Sequence, residues 1–534
     1  VFMSMRRMII AYAFVMFFVV IAIFGTASAA LGGGMYTEVV GRQSTYTLPV
    51  AKARGTIYDR NGGPLTNAQE KYIAAVVPNV ESVSRLNAAA GSDRREELRV
   101  ALENGKPFLI EINTPVNADG IRTFRVFERY SENQPASNLI GYLENGETGA
   151  DGIEKSFDSM LAANGGEIRV TFTIDALGNA ISGAELLVED IYSRARDGVV
   201  LTLDKEIQIA LEEACAAIDK GAAVVLDCKT GDILASASFP AVDPNHLDEC
   251  LANEDAPFVN RALSAYAPGS VFKLFVAAAA LEEGVDYRAV YDCTGSIEVD
   301  GMKFACYDGR AHGEVNMHTA LRKSCNGYFV QLLEQIGPET VLQMVHALGF
   351  ESPLELASGI SSAAGTLPSA QTLQNARARA NFSFGQGETT VSPLQLAAAV
   401  NAIAAGGVYT APRLVYGYAD TNLDIEETEP HEGYKVMEVT TANRLRAYME
   451  STARYGTAMR GAPQNCTSGI KTGTAQTGVY DENGDEILNY WYAGYICDAE
   501  ENPVYTIVIL EESAGESHTA EAFRKIGETL ADFI

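Results

Sequence analysis

Positive charge is what this sequence has least of. Lys and Arg number 40 against 69 Asp and Glu among 534 residues, a formal net charge of -29. A surface of that sign excludes nucleic acid as a partner. Cysteine is scarce too: there are eight, with no CxxC pair and no Cys/His run at metal-ligand spacing. Neither a disulfide scaffold nor a zinc module is therefore expected, and no metal or cofactor is implied. Cys293 and Cys306 are placed to pair across a short hairpin if the compartment is oxidising, or to stay as two free thiols. One stretch lacks charge altogether. No charged residue occurs from Met8 to Tyr36, and Met8–Phe24 is almost wholly apolar. Arg6 and Arg7 stand before it and Glu38 is the first acid after it. About 20 apolar residues span a bilayer and basic flanks stay inside, so the remainder is expected to face outward. Ala27-Ser28-Ala29 is similar to a signal-peptidase site, but the apolar run exceeds a signal core, and an uncleaved anchor is the expectation. No second such segment is evident.

What is present is the composition of a globular protein, 47% hydrophobic and 20% charged, long enough for more than one core. Three parts are expected: a stub and transmembrane anchor over 1–36, a mixed α/β pedestal over 37–197, and a larger domain over 198–534. Residues 37–53 read as an extended linker, and Arg54–Gly63 as a strand ending in an Asn-Gly turn. The pedestal then mixes charged helical pieces such as Ser92–Asn104 with β-like runs at Ile121–Phe127 and Glu167–Thr173. From Gly198 the texture changes. A strand over Val199–Leu203 leads to an amphipathic helix over Asp204–Lys220, followed by β runs at Ala222–Leu226 and Ile233–Ser238. Helices dominate from Ser270 to about Ala404. Strands return at Ile470–Gln476, Tyr490–Ile496 and Val504–Leu510, and a helix covers Thr519–Phe533. Strand and helix runs in such blocks predict an α+β domain, an antiparallel sheet flanked by helices.

Chemistry concentrates in three short patterns. Pro268-Gly269 breaks the chain before an alanine-rich helical run, so Ser270 is predicted at a helix start with Lys273 one turn on. A serine with its own amine is a covalent catalyst in outline. Ser-x-x-Lys occurs at Ser270–Lys273 and Ser468–Lys471, Ser-x-Asn at Ser131–Asn133 and Ser324–Asn326, Lys-Thr-Gly at Lys229–Gly231 and Lys471–Gly473. Context sorts the copies. Residues three apart on a strand face opposite ways, which disqualifies Ser468. Lys229–Gly231 lies in a hairpin turn and Ser131 in a polar loop. Only Ser270/Lys273, Ser324/Asn326 and Lys471/Thr472/Gly473 form a complete ordered set.

That set is the motif trio of serine β-lactamases and penicillin-binding proteins, and the chain resembles the class B penicillin-binding proteins, membrane-anchored peptidoglycan D,D-transpeptidases. The likeness extends to Arg54-Gly55-Thr56-Ile57-Tyr58-Asp59-Arg60-Asn61-Gly62, Gly152–Asp158, Val200–Asp204, Asp243-Pro244-Asn245, Gly385-Gln386-Gly387 and Ser392-Pro393-Leu394-Gln395. The resemblance implies a penicillin-binding transpeptidase fold. Ser270 would attack the penultimate D-Ala of a stem peptide while neutral Lys273 takes its proton. Ser324 would relay a proton to the leaving amine, and Asn326 would hold the substrate amide. Lys471 and partial desolvation would together depress the pKa of Lys273. Thr472, Gly473 and Thr474 would take the substrate carboxylate, and the backbone amides of Ser270 and Thr474 would form the oxyanion hole. Expected partners are stem peptides ending in D-Ala-D-Ala, β-lactams, the membrane, and a membrane glycosyltransferase with other wall-assembly proteins. The rival readings are a D,D-carboxypeptidase or serine β-lactamase on the same scaffold, or a non-catalytic β-lactam sensor or scaffold. A class A β-lactamase would need a deacylating Glu, and the nearest match, Glu351-Ser352-Pro353-Leu354-Glu355, lacks the Asn that follows in that loop. Gly385–Gly387 is expected as a turn lining the site, Arg54 and Asp59 as interdomain or strand-pairing residues, Trp491 as core, and His312 and His318 as structural.

Overall fold

The computed structural model describes residues 5–91, 94–181, 184–192, 197–480, 484, 486–515 and 517–534. Contacts divide the chain into two compact units. The smaller comprises Val1–Ala53, Glu70–Glu128 and Gly166–Ser193. Its helix α1 (Met5–Gln43) carries over Met5–Ser28 a mean hydropathy of 2.7 and no buried side chain, long and apolar enough to cross a membrane. Residues 37–53 are not the extended linker expected. The helix runs on to Gln43, and Thr45–Ala53 is a strand paired antiparallel with Gly166–Thr173. The β-branched residues that suggested extended chain have a partner, and Val50 is buried with Ile168 and Val170. A second three-stranded sheet, in the order Phe108–Ile112, Gln69–Val76, Ile121–Glu128, carries the helices Val80–Ala89 and Arg95–Glu103. The helix expected from Ser92 begins at Arg95, and Ser92 itself lies outside the described residues.

The larger unit takes Arg54–Gln69, Arg129–Gly165 and Arg194–Ile534. Two segments that precede residue 198 therefore belong to it. Thr56–Tyr58 pairs parallel with Gly198–Leu201. The carboxylate of Glu154, with no exposure at all, receives Arg54 Nε at 2.9 Å, Arg129 Nε at 2.6 Å and the Tyr130 hydroxyl at 3.1 Å. Arg54 and Glu154, a hundred residues apart, thus tie the two segments together. Asp59 closes the Asn-Gly turn by accepting from Asn61 and Gly63 amides at 3.0 and 2.6 Å.

The centre of this unit is a five-stranded antiparallel sheet of β1 (Gly221–Asp227), β2 (Ile233–Phe239), β3 (Ser468–Tyr480), β4 (Glu486–Cys497) and β5 (Pro503–Ala514), ordered β2-β1-β5-β4-β3. The run Ala222–Leu226 is apolar at every position because both faces are covered. Ala223 and Val225 meet α2 (Lys205–Ala214) and the helix Thr519–Ala531. Ala222, Val224 and Leu226 face the larger helical core. Asp204 caps α2, accepting from the amides of Glu206 and Ile207, so the helix starts where a capping acid stands. In the helical core lie α3 (Lys273–Glu282), α4 (Met317–Lys323), α5 (Asn326–Ile336) and the fully buried helix Pro393–Ala404. β3 forms one edge of the sheet, and the helical core meets it there.

Candidate active site

Ser270 sits on a 3-10 turn, Gly269–Phe272, that precedes α3; the α-helix itself starts at Lys273, one turn later than the sequence suggests. The tighter turn follows from how closely the chain passes β3. Gly269 has φ +53, and a Cβ there would stand 2.5 Å from the Thr474 carbonyl oxygen. Only glycine permits that approach. Behind the turn the Gly269 amide donates to the Gly385 carbonyl at 3.0 Å, so Gly385-Gln386-Gly387 braces the serine from the rear. Phe272 is locked among Phe275, Phe350 and Phe382 at centroid distances of 5.1–6.1 Å.

Lys273 is completely buried. Its Nζ lies 3.0 Å from Ser270 Oγ, 2.9 Å from Ser324 O, 3.2 Å from Ser324 Oγ and 2.6 Å from Asn326 Oδ1, with the Phe329 ring 5.8 Å away. Lys471 is equally buried; its Nζ donates to Ser324 Oγ at 3.2 Å and to the Thr472 carbonyl at 2.6 Å. Neither ammonium has a carboxylate partner among the described residues. Burial pushes Lys273 down to about 8. Lys471 is held well below the ordinary lysine value by burial first and by the charge of Lys273 second. Ser324 takes both lysines because it is a non-glycine residue in the left-handed region, φ +54, at the C-cap of α4. That conformation costs about 1–2 kcal/mol. Asn326 opens α5 and donates from Nδ2 to the Ala305 carbonyl at 2.7 Å.

From the opposite wall β3 brings Lys471, Thr472, Gly473 and Thr474. A Cβ on Gly473 would meet Pro268 O at 2.9 Å, Val271 Cγ2 at 3.0 Å and Trp491 Cβ at 3.1 Å, so this strand is pressed against the serine turn. Thr472 Oγ1 lies 2.7 Å from Thr457 Oγ1, and Thr474 is half-buried, its carbonyl at Gly269. Trp491 is core, as expected of it, but it also acts on the site. Its Nε1 donates to the Ala267 carbonyl at 2.9 Å, fixing the chain that enters the turn. Thr457 and this indole bond carried no sequence signal.

The fold brings Ser270, Lys273, Ser324, Asn326 and Lys471 into one hydrogen-bonded group and sets Thr472 and Thr474 at its edge. Of the other motif copies, Ser468 lies on β3 three residues before Lys471, and the remaining two lie elsewhere. Lys229 and Thr230 occupy a turn closed by Asp227, whose Oδ1 accepts both amides at 2.8 Å. Ser131 bonds within its own loop, at Asn133 and Gln134, and accepts at its carbonyl from Asn245 Nδ2 at 3.1 Å, away from Ser270. Glu351 accepts from the Leu367 amide at 3.0 Å and pairs with His346 at 3.2 Å, which occupies both its oxygens.

The sequence holds no Cys/His run at metal-ligand spacing, yet the fold gathers four such residues, His312 among them. In the structure Cys293, Cys306, His312 and Cys325 lie with their donor atoms within 4.8 Å of one another. The sulfurs of Cys293 and Cys306 stand 3.7 Å apart as separate thiols. Linear spacing missed the group because two small hairpins and the middle motif assemble it. His318 stacks on Tyr448 at 4.9 Å.

Comparison with known proteins places this geometry. The family model described as the penicillin binding protein transpeptidase domain matches residues 221–528. Stage V sporulation protein D of Bacillus subtilis is 28% identical over 475 residues, covering 82% of this chain and 71% of that protein. The probable peptidoglycan D,D-transpeptidase PenA of Neisseria meningitidis is 28% identical over 507 residues, covering 88% and 81%. A solved structure described as "Structural coordination of polymerization and crosslinking by a peptidoglycan synthase complex" superposes with a TM-score of 0.68 at 23% identity, over 100% of this chain and 99% of that one. A motif trio gathered on one sheet edge, on the fold of those proteins and within the matched residues, settles the family: the chain belongs to the penicillin-binding transpeptidases, as a class B penicillin-binding protein.

Proposed function

We propose that the chain is a peptidoglycan D,D-transpeptidase that works through a Ser270 acyl-enzyme. The observation that carries this is the pair of buried, carboxylate-free lysines converging on two serine hydroxyls. Ser270 Oγ attacks the carbonyl carbon of the penultimate D-Ala, and its proton passes to neutral Lys273 Nζ 3.0 Å away. The negative charge that develops on the carbonyl oxygen is met by the amides of Ser270 and Thr474, held together by the close passage of Gly269 under β3. When the C–N bond breaks, Ser324 hands a proton from the lysine pair to the departing amine of the terminal D-Ala. Asn326 holds the substrate amide, and Lys471, Thr472 and Thr474 take its carboxylate. The amine of a neighbouring stem peptide then attacks the ester, Lys273 removes its proton, and Ser270 is regenerated with the cross-link made. A β-lactam, whose strained amide occupies the same place, acylates the same serine. The apolar part of α1, with Arg6 and Arg7 before it, anchors the chain in the cell membrane with the larger unit outside. Glycan strands come from a membrane glycosyltransferase partner; that the fold matches a chain of a peptidoglycan synthase complex supports this.

The test is labelling of the detergent-purified full chain with a fluorescent penicillin, followed by peptide mapping. The label is expected on the peptide that contains Ser270 and persists for minutes or longer; Ser270→Ala removes it. Label on another serine of a folded Ser270→Ala protein would overturn the site. Hydrolysis of the adduct within seconds would make the chain a β-lactamase.

A further inference from the structure

We propose that Glu512 is a positioning residue for the nucleophile: through the Tyr266 hydroxyl it fixes the segment that carries Ser270 into the cleft. The proposal rests on Ser270 being the acylated serine. Tyr266 stands just upstream of Ser270, and the chain between them is anchored at nearly every step. The Tyr266 amide donates to the Val391 carbonyl at 2.9 Å, and the Tyr266 carbonyl accepts from the Val391 amide at 2.8 Å. The Ala267 carbonyl accepts from the Trp491 indole at 2.9 Å, and the Gly269 amide donates to the Gly385 carbonyl at 3.0 Å. One anchor carries charge. The Tyr266 hydroxyl donates to Glu512 Oε2 at 3.2 Å, while its ring meets Trp491 edge-on at a centroid distance of 6.5 Å. Burial first, and the Glu512 charge second, hold that phenol above its ordinary pKa, so it stays a donor.

Glu512 is itself held firmly. It lies near the end of β5, where its amide donates to the Lys220 carbonyl at 2.8 Å. Arg261 Nε donates to the same Oε2 at 2.6 Å, and the arginine side chain is only 6% exposed. The rest of that guanidinium is occupied by the Asp255 and Ala256 carbonyls, at 2.7 and 3.2 Å, so it cannot follow a moving carboxylate. A phenol bonded to an ionised carboxylate is held more strongly than one bonded to a neutral acceptor. The consequence is geometric. β3 bears on the serine turn itself, at Gly269 and Gly473, whereas β4 and β5 hold the chain that leads into it, at Trp491 and Glu512. The placing of the Ser270 amide beside that of Thr474 depends on both grips. Glu512 bonds none of Ser270, Lys273, Ser324 and Lys471 among the described residues, so it acts through Tyr266 and takes no part in proton transfer. Its neighbour Glu511 faces the other side of the sheet, where it accepts from the His518 amide at 2.6 Å and from His518 Nδ1 at 2.7 Å.

The test is the kinetics of penicillin acylation by the detergent-purified full chain, with the noncovalent dissociation constant and the acylation rate constant measured separately. Tyr266→Phe removes one hydroxyl and leaves the Arg261–Glu512 pair intact. It is expected to lower the acylation rate constant about tenfold with the dissociation constant unchanged. Glu512→Gln is expected to lower it likewise, and the double variant to lose no more than the worse single one, since both changes act on one bond. Asp232→Asn, which breaks the buried pair with Arg413, serves as the control: its melting temperature should fall with the rate constant unchanged. Lost stability alone would then not account for slow acylation. The proposal is overturned if Tyr266→Phe acylates at the wild-type rate, if the two losses multiply in the double variant, or if the loss falls wholly on the dissociation constant. Tyr266→Phe decides alone should Glu512→Gln, which weakens the partner of a buried arginine, fail to fold. Wild-type label on a serine other than Ser270 overturns the transpeptidase site and this proposal together; label on Ser270 with unchanged variants overturns this proposal only.

Discussion

Ser324 Oγ lies 3.2 Å from each of two buried ammonium groups, and that arrangement sets how the site responds to pH. A base must be neutral to take the Ser270 proton. An amine at the ordinary value of 10.5 is neutral in about one molecule in three thousand at pH 7, whereas Lys273 at about 8 is neutral in about a tenth. Burial supplies that gain by disfavouring the charged form. The rate constant for acylation by a penicillin is therefore expected to rise about tenfold per pH unit on the acid side and to level off above about pH 8. Rates for the purified chain across that range check it; a flat profile from acid through pH 8 would remove Lys273 from the role of base. Lys273→Arg is expected to abolish acylation, because a guanidinium stays charged throughout. At this scale the sequence was informative about identity and half-right about state. A lowered Lys273 was expected, but burial lowers it, and the charge coupling expected from Lys471 acts instead on Lys471. Ser270, Lys273 and Lys471 stand out by order along the chain. The left-handed turn at Ser324 and the burial that lowers Lys273 arise from α4, α5 and β3 meeting, which no local pattern encodes.

Between elements, the decisive contact is β3 against the serine turn. Gly473 faces Pro268 O, Val271 and Trp491 with no room for a methyl group. Gly473→Ala is expected to force the strand and turn apart, at a stability cost of about 1–3 kcal/mol. Because the Thr474 and Ser270 amides would separate, acylation should fall more, by about 10²-fold. Denaturant unfolding and penicillin labelling of the same protein measure the two effects. A loss of stability with labelling unchanged would show that strand position is not what aligns the amides. The strands themselves were legible: Ile470–Gln476, Tyr490–Ile496 and Val504–Leu510 lie inside β3, β4 and β5, the last two because runs buried on two faces read as nearly continuous apolar stretches. Their order was not. β1, with β2 on its other side, pairs with β5 across more than 260 residues of intervening chain, and that pairing depends on the helical core between them. Residues 45–53 failed for the same reason, because a strand whose partner lies at 166–173 looks like linker from either end. The Cys/His group was missed because its members come from two hairpins and a motif read for its Ser and Asn alone.

Across the whole molecule, the boundary suggested by the change of texture at Gly198 does not separate independent bodies. Ile57, Leu65, Ile140, Ile153 and Leu161 all precede it, and all are buried in the same core as Val271, Phe272 and Leu274. Each is worth about 1.5–3 kcal/mol on burial. Together they match the 5–15 kcal/mol, roughly, by which a domain is stable. Removing them also takes away Thr56–Tyr58, exposing an edge of Gly198–Leu201, and the whole cluster of Arg54, Arg129 and Glu154. A fragment starting at Gly198, although it holds every residue of the motif trio, is therefore expected to show no cooperative thermal transition and to label poorly with penicillin. A fragment starting at Ser44 retains both segments and is expected to unfold cooperatively and to label at the rate of the full chain. Calorimetry and labelling of the two fragments side by side provide the check. If the shorter fragment melts within a few degrees of the longer one, residues 54–69 and 129–165 are passengers on the transpeptidase core rather than part of it.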